Sequence, residues 1–126
     1  MKDNTLTQQA KICFAPGQLE KSIELFSAAV EQGENLQDIR ISRGAAYMAL
    51  GQYQNARDDF DRFLEKEPDN ERAHYFRGIA MMGLEKFQEA IDDLTFSLTR
   101  NHDRGIAHLA RGIAYFKLGQ PGDATL

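Results

Sequence analysis

Along residues 37–50 the apolar or small positions Ile41, Gly44, Ala45, Met48 and Ala49 recur at steps of three and four, the spacing of one helix face. Gly51 follows Leu50 where a helix would end. A second face, Tyr53, Ala56, Phe60, Phe63 and Leu64, runs on to Glu67-Pro68, where proline stops it. Asp69 or Asn70 is then placed to cap a third helix at "DNERAHY". The pattern predicts a helical hairpin, and the same hairpin returns.

The stretch "SRGAAYMALGQY" at 42–53 reappears as "FRGIAMMGLEKF" at 76–87 and as "ARGIAYFKLGQP" at 110–121, each 34 residues on. In rows of 34, Arg43, Arg77 and Arg111 align, as do Gly44, Gly78 and Gly112, and Leu50, Leu84 and Leu118. Ala56, Ala90 and Ala124 share a column on the second helices, and Leu19, Ser22, Phe26 and Val30 continue these columns upstream. Neither helix of a row can bury its face alone, so rows must stack. A glycine inside a helix costs about 1 kcal/mol against alanine. Its recurrence at one phase predicts close contact with the partner helix, with Ala56, Ala90 and Ala124 as facing hollows. Leucine at Gly78 would overpack that contact, and alanine fits only if one methyl has room.

Period, hairpin layout, glycine and alanine columns and Pro68 together resemble the tetratricopeptide repeat. The resemblance covers a degenerate repeat at 3–36, complete repeats at 37–70 and 71–104, and a partial one at 105–126, read as a single domain over 1–126. It implies an all-α, right-handed solenoid of antiparallel helix-turn-helix repeats. Glu85 in place of the turn glycine, His102 in place of the terminal proline and Pro16 at the end of the degenerate first helix depart from the family pattern. The third repeat stops just after its second helix should begin, which reads as a fragment of a longer array or an end covered by another chain.

The family binds ligands on the concave faces of its first helices. Here those positions are Ile41, Ala45 and Met48, with Asp38; then Arg72, Tyr75, Phe76, Ile79 and Met82; then Ile106, Leu109, Ile113, Phe116 and Lys117. They are mostly apolar or aromatic, as at interaction sites. The lysine–asparagine–arginine clamp by which some family members hold acidic chaperone tails is missing, since the corresponding sites carry Ile41, Ala45, Phe76, Ile106 and Ala110. First-helix charge is positive on balance (Arg40 and Arg43 against Asp38; Arg104, Arg111 and Lys117). The first row's second helix is negative, with Glu20, Glu24 and Glu31 against Lys21. The expected partner is thus a protein or peptide that is apolar with some acidic character. The alternative is a homo-oligomer formed through the uncapped C-terminal end.

Composition narrows the classes further. A net charge of −4 gives no bulk attraction to nucleic acid. No apolar stretch approaches the roughly 20 residues of a membrane span. One cysteine, Cys13, cannot form an internal disulfide, which fits a reducing, cytoplasmic setting. Cys13, beside Phe14, reads as a small apolar residue. No phosphate loop, nucleophile motif or metal-binding helix motif is present, so no cofactor or catalytic residue is expected and the chain reads as a non-enzyme. The paired acids Asp58-Asp59 and Asp92-Asp93 recur in register, as expected of a solvated face or of partners for the repeated arginines. His74 and His108 share a column, but packed helices would hold them about 8–10 Å apart, too far for one metal ion. The reading is a non-catalytic protein–protein interaction module. A self-assembling scaffold is the alternative, or the repeat portion of a larger enzyme or signalling protein.

Overall fold

Five helices in this chain end just before a residue in the left-handed conformation. In the computed structural model, which describes residues 5–15 and 17–119, positive φ occurs at Gly17, Gly33, Gly51, Glu85 and Gly119. Gly51 donates to the Met48 carbonyl and Gln52 to that of Tyr47, the paired bonds that satisfy the last carbonyls of a helix. Glu85 and Lys86 repeat this on Met82 and Met81. Each turn hands the chain to an antiparallel helix.

The described residues form seven helices and no strand: α1 (Leu6–Phe14), α2 (Leu19–Glu31), α3 (Leu36–Ala49), α4 (Tyr53–Lys66), α5 (Glu71–Gly83), α6 (Phe87–Arg100) and α7 (Gly105–Lys117). The starts of α1, α3 and α5 are capped by side chains. Asn35 accepts from the Asp38 amide and Asn70 from the Ala73 amide, so Asn70, rather than Asp69, caps α5. Pro16, Pro121 and Ala124 lie outside the described residues. The chain divides into two compact units, 1–63 and 64–126.

In the first unit Ala10, Phe26, Ala29 and Ile39 form the core, with Leu6, Leu25 and Val30 packed on it. Ala10 stands in the glycine column, and its carbonyl takes a hydrogen bond from the buried Ser22 hydroxyl at 2.7 Å. Polar contacts fasten α1 further. Thr5 and Gln8 form a reciprocal cap at its start. The Glu34 carboxylate accepts from the amides of Leu6 and Thr7 at 3.1 and 3.0 Å and from the Thr7 hydroxyl at 2.6 Å. Those donors sit at the positive end of the helix, where an anion is favoured. Lys11 reaches Asp38 on α3 at 2.8 Å.

In the second unit Met81, Ala90, Leu94, Leu98, Ala107 and Ala110 form the core, with Tyr75, Ile79, Met82 and Leu84 packed against it. The mid-helix glycines meet larger neighbours than expected. A Cβ on Gly44 would lie 2.5 Å from Phe60 Cε1, and one on Gly78 would lie 2.8 Å from Leu94 Cδ2 and 2.9 Å from Leu94 Cγ. The facing residues are therefore Phe60 and Leu94, not Ala56 and Ala90, because the large side chains reach into the groove that glycine leaves. A single methyl has no room.

Gly78→Ala should accordingly lose about 1–3 kcal/mol by overpacking despite alanine's better helix propensity, and Gly78→Leu more, as read from denaturant midpoints. Glu85→Gly should gain about 0.5–1 kcal/mol, because a side chain in the left-handed region carries a steric penalty that glycine escapes. A chevron or melting curve showing no gain would mean that the turn is not strained.

Candidate functional site

Two of the three repeated arginines are held in place by aspartates. Arg43 grips Asp59 with two bonds of 2.8 Å and reaches the Ser27 hydroxyl at 3.2 Å. Arg77 grips Asp93 with two bonds of 2.8 Å. Asp59 and Asp93 are buried, whereas their neighbours Asp58 and Asp92 are exposed, so each acid pair splits into one structural and one solvated carboxylate. The Asp59 carboxylate raises the Arg43 guanidinium further above its ordinary range. Arg111 donates to the Thr95 hydroxyl at 3.1 Å.

The two histidines secure loops. The His74 Nε2–H donates to the Pro68 carbonyl at 2.7 Å, and the His108 Nε2–H to the His102 carbonyl at 2.9 Å, each six residues back. His74 Nδ1 lies 2.9 Å from Asp93, and its ring stacks on Phe96 at 3.8 Å.

At the start of α5, Glu71 accepts from the Ser97 hydroxyl at 2.6 Å and from both Nε and Nη2 of Arg104. The Arg104 guanidinium also lies 4.5 Å over the Tyr75 ring. Hydrogen bonds from Arg104, then from Ser97, hold the Glu71 carboxyl below the ordinary glutamate range despite an opposing desolvation effect. Those from Thr7 do the same for Glu34. Much of the first-helix positive charge is thus engaged in internal pairs, and the faces left open are apolar.

Those faces differ along the chain. Ile41, expected on an open surface, is buried at 7% exposure, while Ala45 and Met48 are half-buried. On α5, Tyr75, Phe76, Ile79 and Met82 are half-buried and Arg72 is exposed, lying 5.6 Å over the Phe76 ring. On α7, Ile106, Leu109, Ile113 and Phe116 are 64, 66, 42 and 66% exposed, and Lys117 beside them is exposed. Steps of three, four and three place these four in one stripe along the helix. Leu118 extends the apolar surface at 39% and had not been expected there. The difference between α5 and α7 has a simple cause. Tyr75, Ile79 and Met82 pack on the cluster that includes Ala107 and Ala110 of α7, whereas the equivalent residues of α7 have no such cover among the described residues.

Cys13 is half-buried and free, no described helix is long and apolar enough to cross a membrane, and no described cluster of three or more His, Cys, Asp or Glu could hold a metal ion.

A family model described as tetratricopeptide repeat matches residues 41–95. No curated protein sequence matches the chain. Among solved structures, MamA from residue 41 to its end, of Desulfovibrio magneticus RS-1, superposes with a TM-score of 0.89 at 18% identity, covering 95% of this chain and 68% of that one. MamA of AMB-1 gives 0.86 at 21% identity, covering 95% and 71%, and MamA of MSR-1 gives 0.84 at 22%, covering 94% and 68%. At these identities the likeness is one of fold, and the chain spans about two-thirds of the length of those proteins.

The depressed carboxylates predict an acid-side instability. A carboxyl that titrates lower folded than unfolded contributes stability above the ordinary glutamate range and loses it as pH falls through the folded-state value. Melting temperature should therefore drop between about pH 5 and about pH 3. Glu71→Gln, which cannot gain a proton in that window, should make the drop shallower. An unchanged slope would show that the Glu71–Arg104 pair is not linked to folding.

Proposed function

We propose that this chain, whose residues 41–95 match the tetratricopeptide repeat, is a non-catalytic protein–protein interaction module whose first-helix faces take an apolar segment of a partner. The observation that carries this reading is the stripe Ile106, Leu109, Ile113 and Phe116, four large apolar side chains in line on one helix and exposed among the described residues. An exposed apolar surface of this kind is costly to keep in water and is characteristic of contact surfaces. Lys117 next to Phe116 favours a partner carrying some acidic character. The free, half-buried Cys13 supports a cytoplasmic setting, where thiols remain reduced.

Aromatic anchors commonly dominate contact energies. Phe116→Ala should therefore weaken capture of a co-purifying partner at least about tenfold while leaving helicity unchanged. Tyr75→Ala should act in the same direction, with part of its effect arising from the lost Arg104 contact. Asp92 and Glu89, exposed on α6, should be neutral. A partner that survives Phe116→Ala but is lost on changing Asp92 or Glu89 would reverse the assignment.

The same stripe favours a second reading, self-association through α7. Its heptad-like spacing suits pairing with the α7 of another copy. Head-to-tail stacking is less suited, because the cap and first turn of α1 carry Thr5, Gln8 and Gln9 at the positions where α7 has Ala107, Ala110 and Arg111. Light scattering distinguishes the readings: Leu109→Glu would dissociate an α7-mediated dimer and leave a monomer's scattering unchanged.

A further inference from the structure

In the first unit α1, α2 and α3 surround a cavity of about 300 Å³ lined by Lys11, Phe14, Ala15, Phe26, Ser42 and Ala45. Its origin is visible by comparison with the second unit. The matching positions on α5, α6 and α7 are Ile79, Met82, Gly83, Leu94, Ala110 and Ile113. There Ile79 and Met82 pack on the cluster containing Leu94 and Ala110.

Two substitutions open the first unit. Lys11 stands where α5 has Ile79, and its ammonium is drawn to Asp38, 2.8 and 2.9 Å from the two carboxylate oxygens. Ala45 stands where α7 has Ile113 and ends at its Cβ. The space that two isoleucines occupy or cover in one unit is thus vacated in the other, between two phenylalanine rings.

We infer that this cavity is a binding site for one large aliphatic side chain, of the leucine or isoleucine class, presented by a partner polypeptide. The inference rests on the interaction-module reading but concerns a surface separate from the α7 stripe. Three features select the occupant. The second unit places isoleucine at the matching positions, so the junction between first helices already accepts that shape. The Lys11–Asp38 pair neutralises itself, so the rim calls for neither an anion nor a cation. Ser42 supplies the one hydroxyl of a lining otherwise made of carbon apart from Lys11, too few partners to hold ordered water well or to satisfy a polar side chain.

The test uses the 126-residue chain and N-acetyl-L-leucinamide, with N-acetyl-L-asparaginamide as control, followed by NMR of the alanine methyls and phenylalanine rings. Saturable shifts confined to Ala15, Ala45, Phe14 and Phe26, given by the leucine probe and not by the asparagine probe, are expected. Ala45→Ile should weaken the leucine probe at least about tenfold and raise the melting temperature, since it refills the space. Ala45→Val should do both to a smaller extent and keeps the test readable if isoleucine fails to pack. The absence of saturable shifts, or equal affinity in wild type and both variants, would overturn the site. Octanoate binding more tightly than the leucine probe would replace it with a small-molecule site. Shifts at the same residues on raising protein concentration alone would assign the cavity to a second copy. Failure here with Phe116→Ala still abolishing capture would sink this site and leave the interaction reading intact.

Discussion

The close approach of two helices at a glycine is the contact on which the rest of each complete hairpin depends. Gly44 lets the Phe60 ring lie against the α3 backbone, and Gly78 does the same for Leu94 against α5. The residue before each glycine is arginine and the residue before each facing side chain is aspartate. Bringing the backbones together therefore brings Arg43 onto Asp59 and Arg77 onto Asp93 in two-bond pairs. A carboxylate this buried would be costly alone, and the guanidinium fork satisfies both of its oxygens. Packing and ion pairing are thus one feature seen from two adjacent residues.

The first hairpin reaches a similar end without the clasp. Gln9 and Leu25 occupy its columns, and Ala10 replaces the glycine. Ser22 bonding to the Ala10 carbonyl, Glu34 capping α1 and Lys11 pairing with Asp38 hold the helix instead. The Glu34 and Lys11 contacts are more exposed than the buried aspartates of the later hairpins, and the departure of Lys11 toward Asp38 is part of what leaves a cavity beside it.

Engagement of the arginines has a consequence for function. Arg43, Arg77 and Arg104 turn toward carboxylates within their own units, so these three charges are engaged internally. The surface on α7 is then apolar with one lysine at its edge. Recognition by such a surface depends on shape and dehydration more than on charge, and salt should act on it weakly.

The 34-residue period, the helix pairs, the turn at Gly51, the stop at Pro68 and the pairing of arginines with second-helix aspartates were all legible in the sequence. They rest on backbone periodicity, on local φ preferences and on charges that recur in register. Other features needed the packed molecule. Nothing in the pattern around Ile41 distinguishes it from Leu109, yet one is buried and the other two-thirds exposed. Glycine columns announced close contact but not that Phe60 and Leu94, rather than the alanines, would fill it. The cavity could have been suspected from Lys11 and Ala45 standing in isoleucine columns, although only the geometry of Lys11 and Asp38 shows where the lysine goes. A side chain's spacing along a helix follows from the chain itself. Whether that side chain is covered depends on a neighbouring helix from another row, whose position only tertiary packing decides.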